Sequence, residues 1–151
     1  MNERPILFTA ENAQKVHDGR KTQTRRIITP QPEMSGAILP FREMAEEPGV
    51  WIYNGQTFTC PYGTVGDRLR VAADILELTV VRVEKLNDIS ECDAIAEGVT
   101  PCGHTSFHVD EHTCSFKALW ASINGEESWQ LNPWVWCLSF RTVSSVSQGG
   151  G

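Results

Sequence analysis

Residues 51–59 read WIYNGQTFT. Two β-rich runs meet at Asn54-Gly55, the dipeptide that best supplies the positive-φ pair of a tight hairpin turn. The stretch therefore folds back on itself as antiparallel strands. Just beyond it, CPYGTVGDRLRV (60–71) holds a Gly-rich turn and then a strand over 68–71. ILELTVVRVEKL (75–86) is a longer strand with partial alternation. On the N-terminal side, residues 30–49 carry four prolines and little periodicity, so they are expected to form a long loop. GRKTQTRRII (19–28) is rich in threonine and isoleucine and is expected to be a strand, stopped by Pro30 and Pro32. The apolar run at 5–8 is expected to be a first or edge strand.

Three short helices interleave with these strands. Thr9 can cap a helix over 10–18, with Ala13 and Val16 inward and Gly19 as its left-handed stop. Asp88 or Ser90 opens a second helix, near 90–97, with Ser90 and Asp93 resembling a capping box and Gly98 as its end. Phe116, Leu119, Trp120 and Ile123 form an i, i+3, i+4, i+7 stripe on a third, over 115–123, closed by Asn124-Gly125. In the last strand Trp134, Trp136, Leu138 and Phe140 share one face. No regular strand–helix–strand alternation exists, so the expected class is α+β, a small, mostly antiparallel β-barrel with flanking short helices. One domain is expected over 1–143, followed by a flexible tail over 144–151, SSVSQGGG.

With 40% hydrophobic and 21% charged residues among 151, a packed core is expected and wholesale disorder is not. No apolar stretch approaches the roughly 20 residues of a membrane helix, and MNERPILF is not built like a signal peptide. A cytoplasmic location follows as an expectation, with the five cysteines as thiols or ligands rather than disulfides. The net charge of −6 argues against gripping long duplex nucleic acid by charge alone. A local basic mouth is nevertheless present: Arg20, Lys21, Arg25 and Arg26 lie close together in 19–28.

RPILF, GRKTQTRR, CPYGTVGDRLRV, DISECDAIAEGV, LWASING and NPWVWCLSF, in that order, resemble the ASCH-domain proteins of bacteriophages and prophages, within the PUA-like superfamily. The resemblance implies a PUA-like barrel, RNA or a modified nucleoside as partner, and the cytoplasm of a bacterial host as location. One enzyme branch of the family removes acetyl from the exocyclic amine of acetylcytidine. Its lysine, threonine and glutamate match Lys21, Thr24 and Glu97 here, which makes those three the candidate catalytic residues. Arg20, Arg25 and Arg26 are then the candidate RNA- or nucleoside-binding residues. RNA cleavage, associated with another branch, ranks below amide hydrolysis. The alternative is a non-catalytic RNA- or protein-binding module used by a phage during infection, including an inhibitor of a host nucleic-acid-binding protein. One departure stands out. Phage relatives follow the GDRL strand with a tryptophan-bearing insertion, whereas residues 70–73 here run straight into ILELTVV.

Amide hydrolysis needs a nucleophile, a base and a proton for the leaving amine. Thr24 offers the hydroxyl. Lys21 could take its proton if neutral, and like charges nearby favour that. Glu97 could oppose it, or pass a proton to the leaving nitrogen. In a regular strand positions 21 and 24 face opposite sides, so Lys21 must precede the strand or a bulge must intervene. The run Cys102, His104, His108, His112, Cys114 lacks the spacing of a standard zinc finger or ribbon, and no metal or other cofactor is expected. Cys60 and Cys92 are expected to be buried small hydrophobes, and Trp51 and Trp129, near turns, to be the more exposed rings.

Overall fold

The computed structural model describes residues 3–32, 40–103 and 110–145. Its strands are β1 (Glu3–Pro5), β2 (Gln23–Ile27), β3 (Arg42–Glu43), β4 (Val50–Tyr53), β5 (Gln56–Thr59), β6 (Arg68–Val71), β7 (Asp74–Lys85) and β8 (Trp134–Ser145). Its helices are α1 (Ala10–His17), α2 (Glu91–Ala96), α3 (Glu111–Asn124) and α4 (Glu126–Leu131), with a 3-10 turn over Leu86–Asp88. Five strands form one sheet in the order β1-β6-β7-β8-β2, antiparallel except for β1 beside β6. A second sheet, β3-β4-β5, is wholly antiparallel. The class is thus α+β with a mostly antiparallel sheet.

The expected barrel does not close. β1 and β2 are the two ends of the five-stranded sheet and do not pair with each other. Closure would need a continuous hydrogen-bonded circuit. Here the sheet instead buries its two faces against different layers. β8 alternates: Trp136, Leu138 and Phe140 enter a core shared with Trp51 of β4, Leu69 and Val71 of β6, and Leu76 and Leu78 of β7. Val135 and Cys137 point the other way, into a cluster with Ala94, Phe116 and Trp120 of α2 and α3. A strand buried on both faces is apolar at every position, as WVWCLSF nearly is.

The helix signals hold, with local reasons. Thr9 accepts from Asn12 N–H at 3.2 Å and Ser90 from Asp93 N–H at 3.0 Å. α3 starts earlier than the stripe suggested because Glu91 of α2 caps it: its carboxylate accepts the N–H groups of His112 and Thr113 at 2.9 and 2.8 Å. Desolvation pushes the Glu91 carboxyl up, but those bonds, together with side-chain bonds from His112 and Thr113, outweigh it and hold the carboxyl down at about 2. The two-residue strand β3 interrupts the long loop, and β8 runs through Ser145 into the expected tail, with 146–151 outside the described residues. The strand expected over 5–8 is instead Glu3–Pro5, although Ile6 still donates to Arg70 O at 3.1 Å.

Two side-chain expectations fail. Trp51 is buried, its ring 6.1 Å from that of Trp136, because alternation along β4 turns Trp51 and Tyr53 inward. Trp129 is half-buried, edge-on to Phe116 with Lys117 over its face. Cys92 is exposed rather than buried, on a helix whose buried position is Ala94, whereas Cys60 is in the core.

The shortened segment after β6 is a tight hairpin. Val71 pairs with Asp74 across Ala72-Ala73, and Ala72 takes φ +50°. An alanine there costs roughly 1–2 kcal/mol, of which glycine would return about 0.5–1 kcal/mol in unfolded-chain entropy. Ala72→Gly is expected to raise the thermal midpoint by about 2 °C. An unchanged or lower midpoint in a calorimetric melt would refute a strained turn at this position.

Candidate functional site

Lys21 lies two residues before β2, and that irregular entry settles the facing problem. Gly19 takes φ +79°, the Lys21 N–H bonds Lys15 O at the end of α1, and the Thr22 N–H bonds Ala96 O at 2.8 Å. Gly98, at φ +92°, lets the end of α2 approach: a Cβ there would stand 3.1 Å from Lys21 Cβ. Lys21 and Thr24 consequently reach the same cavity, together with Glu97, the residue that closes α2. The cavity holds about 220 Å³. Phe8, Asn12, Arg26 and the α3 residues Phe116, Leu119, Trp120 and Ile123 complete much of its lining. The lining is therefore mixed, charged and hydroxylic around Lys21, Thr24, Arg26 and Glu97, and aromatic and aliphatic along α3.

Behind the polar wall is a buried ion network. Lys21 Nζ donates to Glu97 Oε2 at 2.6 Å and to Glu97 O at 3.1 Å, and both side chains are almost wholly buried. Arg25 is fully buried and spends all five of its N–H groups. Nε and one N–H of Nη2 go to Glu84, the other N–H of Nη2 to Asp93, and those of Nη1 to Gln23 and Glu97. Arg82 extends the set, donating to Glu84 and, at 2.6 Å, to Asp93. Burial would raise the Asp93 carboxyl, but Arg82, Arg25 and Gln23 hold it below the usual range. Burial pulls the Lys21 ammonium below its ordinary value; Glu97 opposes this, and the like charges of Arg26 and Lys15 assist it.

The three candidate binding arginines therefore differ. Arg25 borders the cavity but has no donor left for a ligand. Arg20 lies outside the cavity lining, on the surface, paired with Asp18 at 3.4 Å. Arg26 borders the cavity and makes no ion pair among the described residues. Its partners are neutral: Leu7 O at 2.7 Å, Thr24 Oγ1 at 3.4 Å and the Phe8 ring at 4.7 Å. Burial lowers its pKa, with Tyr62 and Glu97 opposing. A half-buried guanidinium without a carboxylate retains the capacity to pair with an anion.

Sequence reasoning missed Gln23, Arg82, Glu84 and Asp93 as supports, and the α3 stripe as a pocket wall. A signal was present for Arg82 and Glu84, two charges at i, i+2 and hence on one face of β7, just after the apolar pair Val80-Val81. Among the described residues no group of three His, Cys, Asp or Glu is placed to hold a metal, and His104 and His108 lie outside the described residues.

The structure is similar to the solved ASCH domain from Lactobacillus crispatus JV V101, with TM-score 0.56 over 94% of this chain and 80% of that one, at 16% identity. The chain has the ASCH-domain fold. A second solved structure, protein EF3133 from Enterococcus faecalis V583 of family DUF984, is similar with TM-score 0.47 and 20% identity, covering 100% of this chain and 86% of that one. Comparison of the sequence with protein-family models and with curated proteins gives no match. Among the described residues of this ASCH-type fold, no helix is long and apolar enough to cross a membrane.

Glu97 neutralises two buried cations at once. Breaking a buried pair from one side typically costs about 3–5 kcal/mol. Glu97→Gln is expected to lose about 3 kcal/mol or more in denaturant unfolding. Lys21→Met is expected to lose less, because Glu97 keeps Arg25. Equal losses, or a negligible loss for Glu97→Gln, would show that the network does not hold the site together.

Proposed function

We propose that the cavity takes a single nucleoside, free or within RNA, and that Lys21, Thr24 and Glu97 hydrolyse an acyl amide on its base, as in acetylcytidine. The observation that carries this reading is the buried Lys21–Glu97 pair facing a threonine hydroxyl and the one cavity arginine that has no carboxylate. The volume is below the about 300–1,000 Å³ of drug-sized pockets, which suits one base with part of its sugar. The apolar wall offers a face for the base, and Phe8 carries both cations, with Lys21 Nζ 5.7 Å from the ring centre.

The chemistry follows from these groups. Neutral Lys21 takes the Thr24 proton as Oγ1 attacks the acyl carbon. Arg26, already an N–H donor to Thr24 Oγ1, stabilises the oxyanion. The proton returns through the Lys21–Glu97 pair to the exocyclic nitrogen as the amide bond breaks. Water then hydrolyses the Thr24 ester, releasing the carboxylic acid. Burial favours the neutral amine this sequence needs. RNA as the wider partner is in keeping with the ASCH-type fold, and the cytoplasm of a phage-infected bacterium is the proposed setting.

A second reading, a non-catalytic RNA- or protein-binding module serving a phage, is favoured by one observation. Both hydrogen bonds of Lys21 Nζ go to Glu97 rather than to Thr24. An inhibitor of a host nucleic-acid-binding protein belongs to this reading, given the net charge of −6.

Incubation with acetylcytidine and mass spectrometry of the products separates the two. Deacetylation is expected, with Thr24→Ala and Lys21→Ala each lowering kcat/KM by about 100- to 10,000-fold and the double variant losing little more. The base must be unprotonated, so kcat/KM should rise with pH and level off below the ordinary lysine range. Binding without turnover would reject hydrolysis and leave the module. Neither binding nor turnover would reject the nucleoside pocket.

A further inference from the structure

A second cavity, of about 400 Å³, lies on the β5 side of β2. Its lining includes Ile27 and Thr29, Thr57 and Phe58 of β5, Tyr62, and Trp136 of β8. Ile27 also lines the first cavity, so the two share the end of β2 as a common wall. Arg26, on the first cavity, directly precedes Ile27 in β2, and Tyr62, on the second, interacts electrostatically with Arg26. The cation without a carboxylate therefore lies beside the residue that both cavities share.

We propose that the second cavity seats the neighbouring nucleotide, so that the ligand is a strand of RNA with its modified base in the first cavity and the linking phosphate on Arg26. This inference rests on the nucleoside reading above and narrows it from any nucleoside to RNA. Three features fit a second base. Phe58 and Tyr62 are only partly buried and offer ring faces for stacking. The Thr29, Thr57 and Thr59 hydroxyls are exposed at the same place and can donate to or accept from a base edge. The single guanidinium between two base-sized spaces matches the single charge between two nucleosides. The acidic bulk then restricts the contact to this short electropositive junction rather than to a long basic track.

The test uses the full chain carrying Thr24→Ala, so that ligand is not consumed. Titration calorimetry compares acetylcytidine with a dinucleoside monophosphate that contains it. The dinucleotide is expected to bind at least about tenfold more tightly, since stacking one base on an aromatic ring is worth that much. Its affinity should also fall with added salt, with a log–log slope of about −0.7 for the single phosphate. Phe58→Ala should bring the dinucleotide back toward the nucleoside and leave acetylcytidine binding unchanged, and Tyr62→Ala should weaken the dinucleotide as well. Equal affinity for the two ligands overturns the proposal without recourse to any variant and leaves the nucleoside pocket standing. Tighter dinucleotide binding that neither variant reduces, with both variants folded by circular dichroism, also overturns it, because the second base then lies elsewhere. If neither ligand binds, the nucleoside reading fails and this one with it.

Discussion

The Arg25 guanidinium, fully buried and bonded through every N–H, is the constraint around which the polar half of the molecule is arranged. It joins β2, which carries it, to Glu84 on β7, to Asp93 on α2 and to Glu97 at the end of α2. A buried cation with one donor unpaired would cost several kcal/mol, so these elements are fixed relative to one another or the cation is not tolerated. The charges balance: Lys21, Arg25 and Arg82 against Glu84, Asp93 and Glu97. Arg26 is the surplus. In the proposed reaction its excess charge, at the edge of a neutral cluster, would meet an anion or a developing oxyanion.

The rest of the molecule supplies the mould for that cluster. β8 pairs with both β2 and β7, and its inward tryptophans and leucine anchor one face of the sheet while Val135 and Cys137 seat α2 and α3 on the other. α3 in turn is started by Glu91 of α2, so the apolar wall and the polar wall of the cavity are tied through the same short helix. A six-residue helix has little stability of its own. It persists because Ser90 caps it, Glu91 clamps α3, Asp93 and Glu97 enter the ion network, and Gly98 lets its end close over Lys21.

Much of this was legible in the residues, for identifiable reasons. Asn54-Gly55 specified its hairpin because few other dipeptides tolerate two positive φ values, and both residues take them, at +50° and +75°. Thr9, Ser90, Gly19 and Gly98 marked helix ends because caps are local chemistry. Trp134, Trp136, Leu138 and Phe140 announced one face of a strand by their period of two. The convergence of Lys21, Thr24 and Glu97 was not readable from spacing. It depends on the chain entering β2 irregularly after Gly19 and on a contact between residues 76 apart. Closure of the sheet was likewise out of reach, since it turns on whether β1 and β2 meet, and no single residue of either strand decides that. Arg25 and Arg26 could not be told apart either. Adjacent on one strand, they face opposite sides, and only the partners on β7 and α2 reveal that one is saturated and the other is not.

The proposed nucleoside pocket depends most directly on the state of the Lys21 side chain. Nuclear magnetic resonance of its Nζ, recorded against pH with and without acetylcytidine, reads both the burial and the occupancy of the site. The expected result is titration below the ordinary lysine range in the free protein, and a Lys21 resonance that moves on adding the nucleoside while the distant Lys117 resonance does not. Ordinary titration together with no response to the nucleoside would contradict a buried Lys21–Glu97 pair at a ligand site.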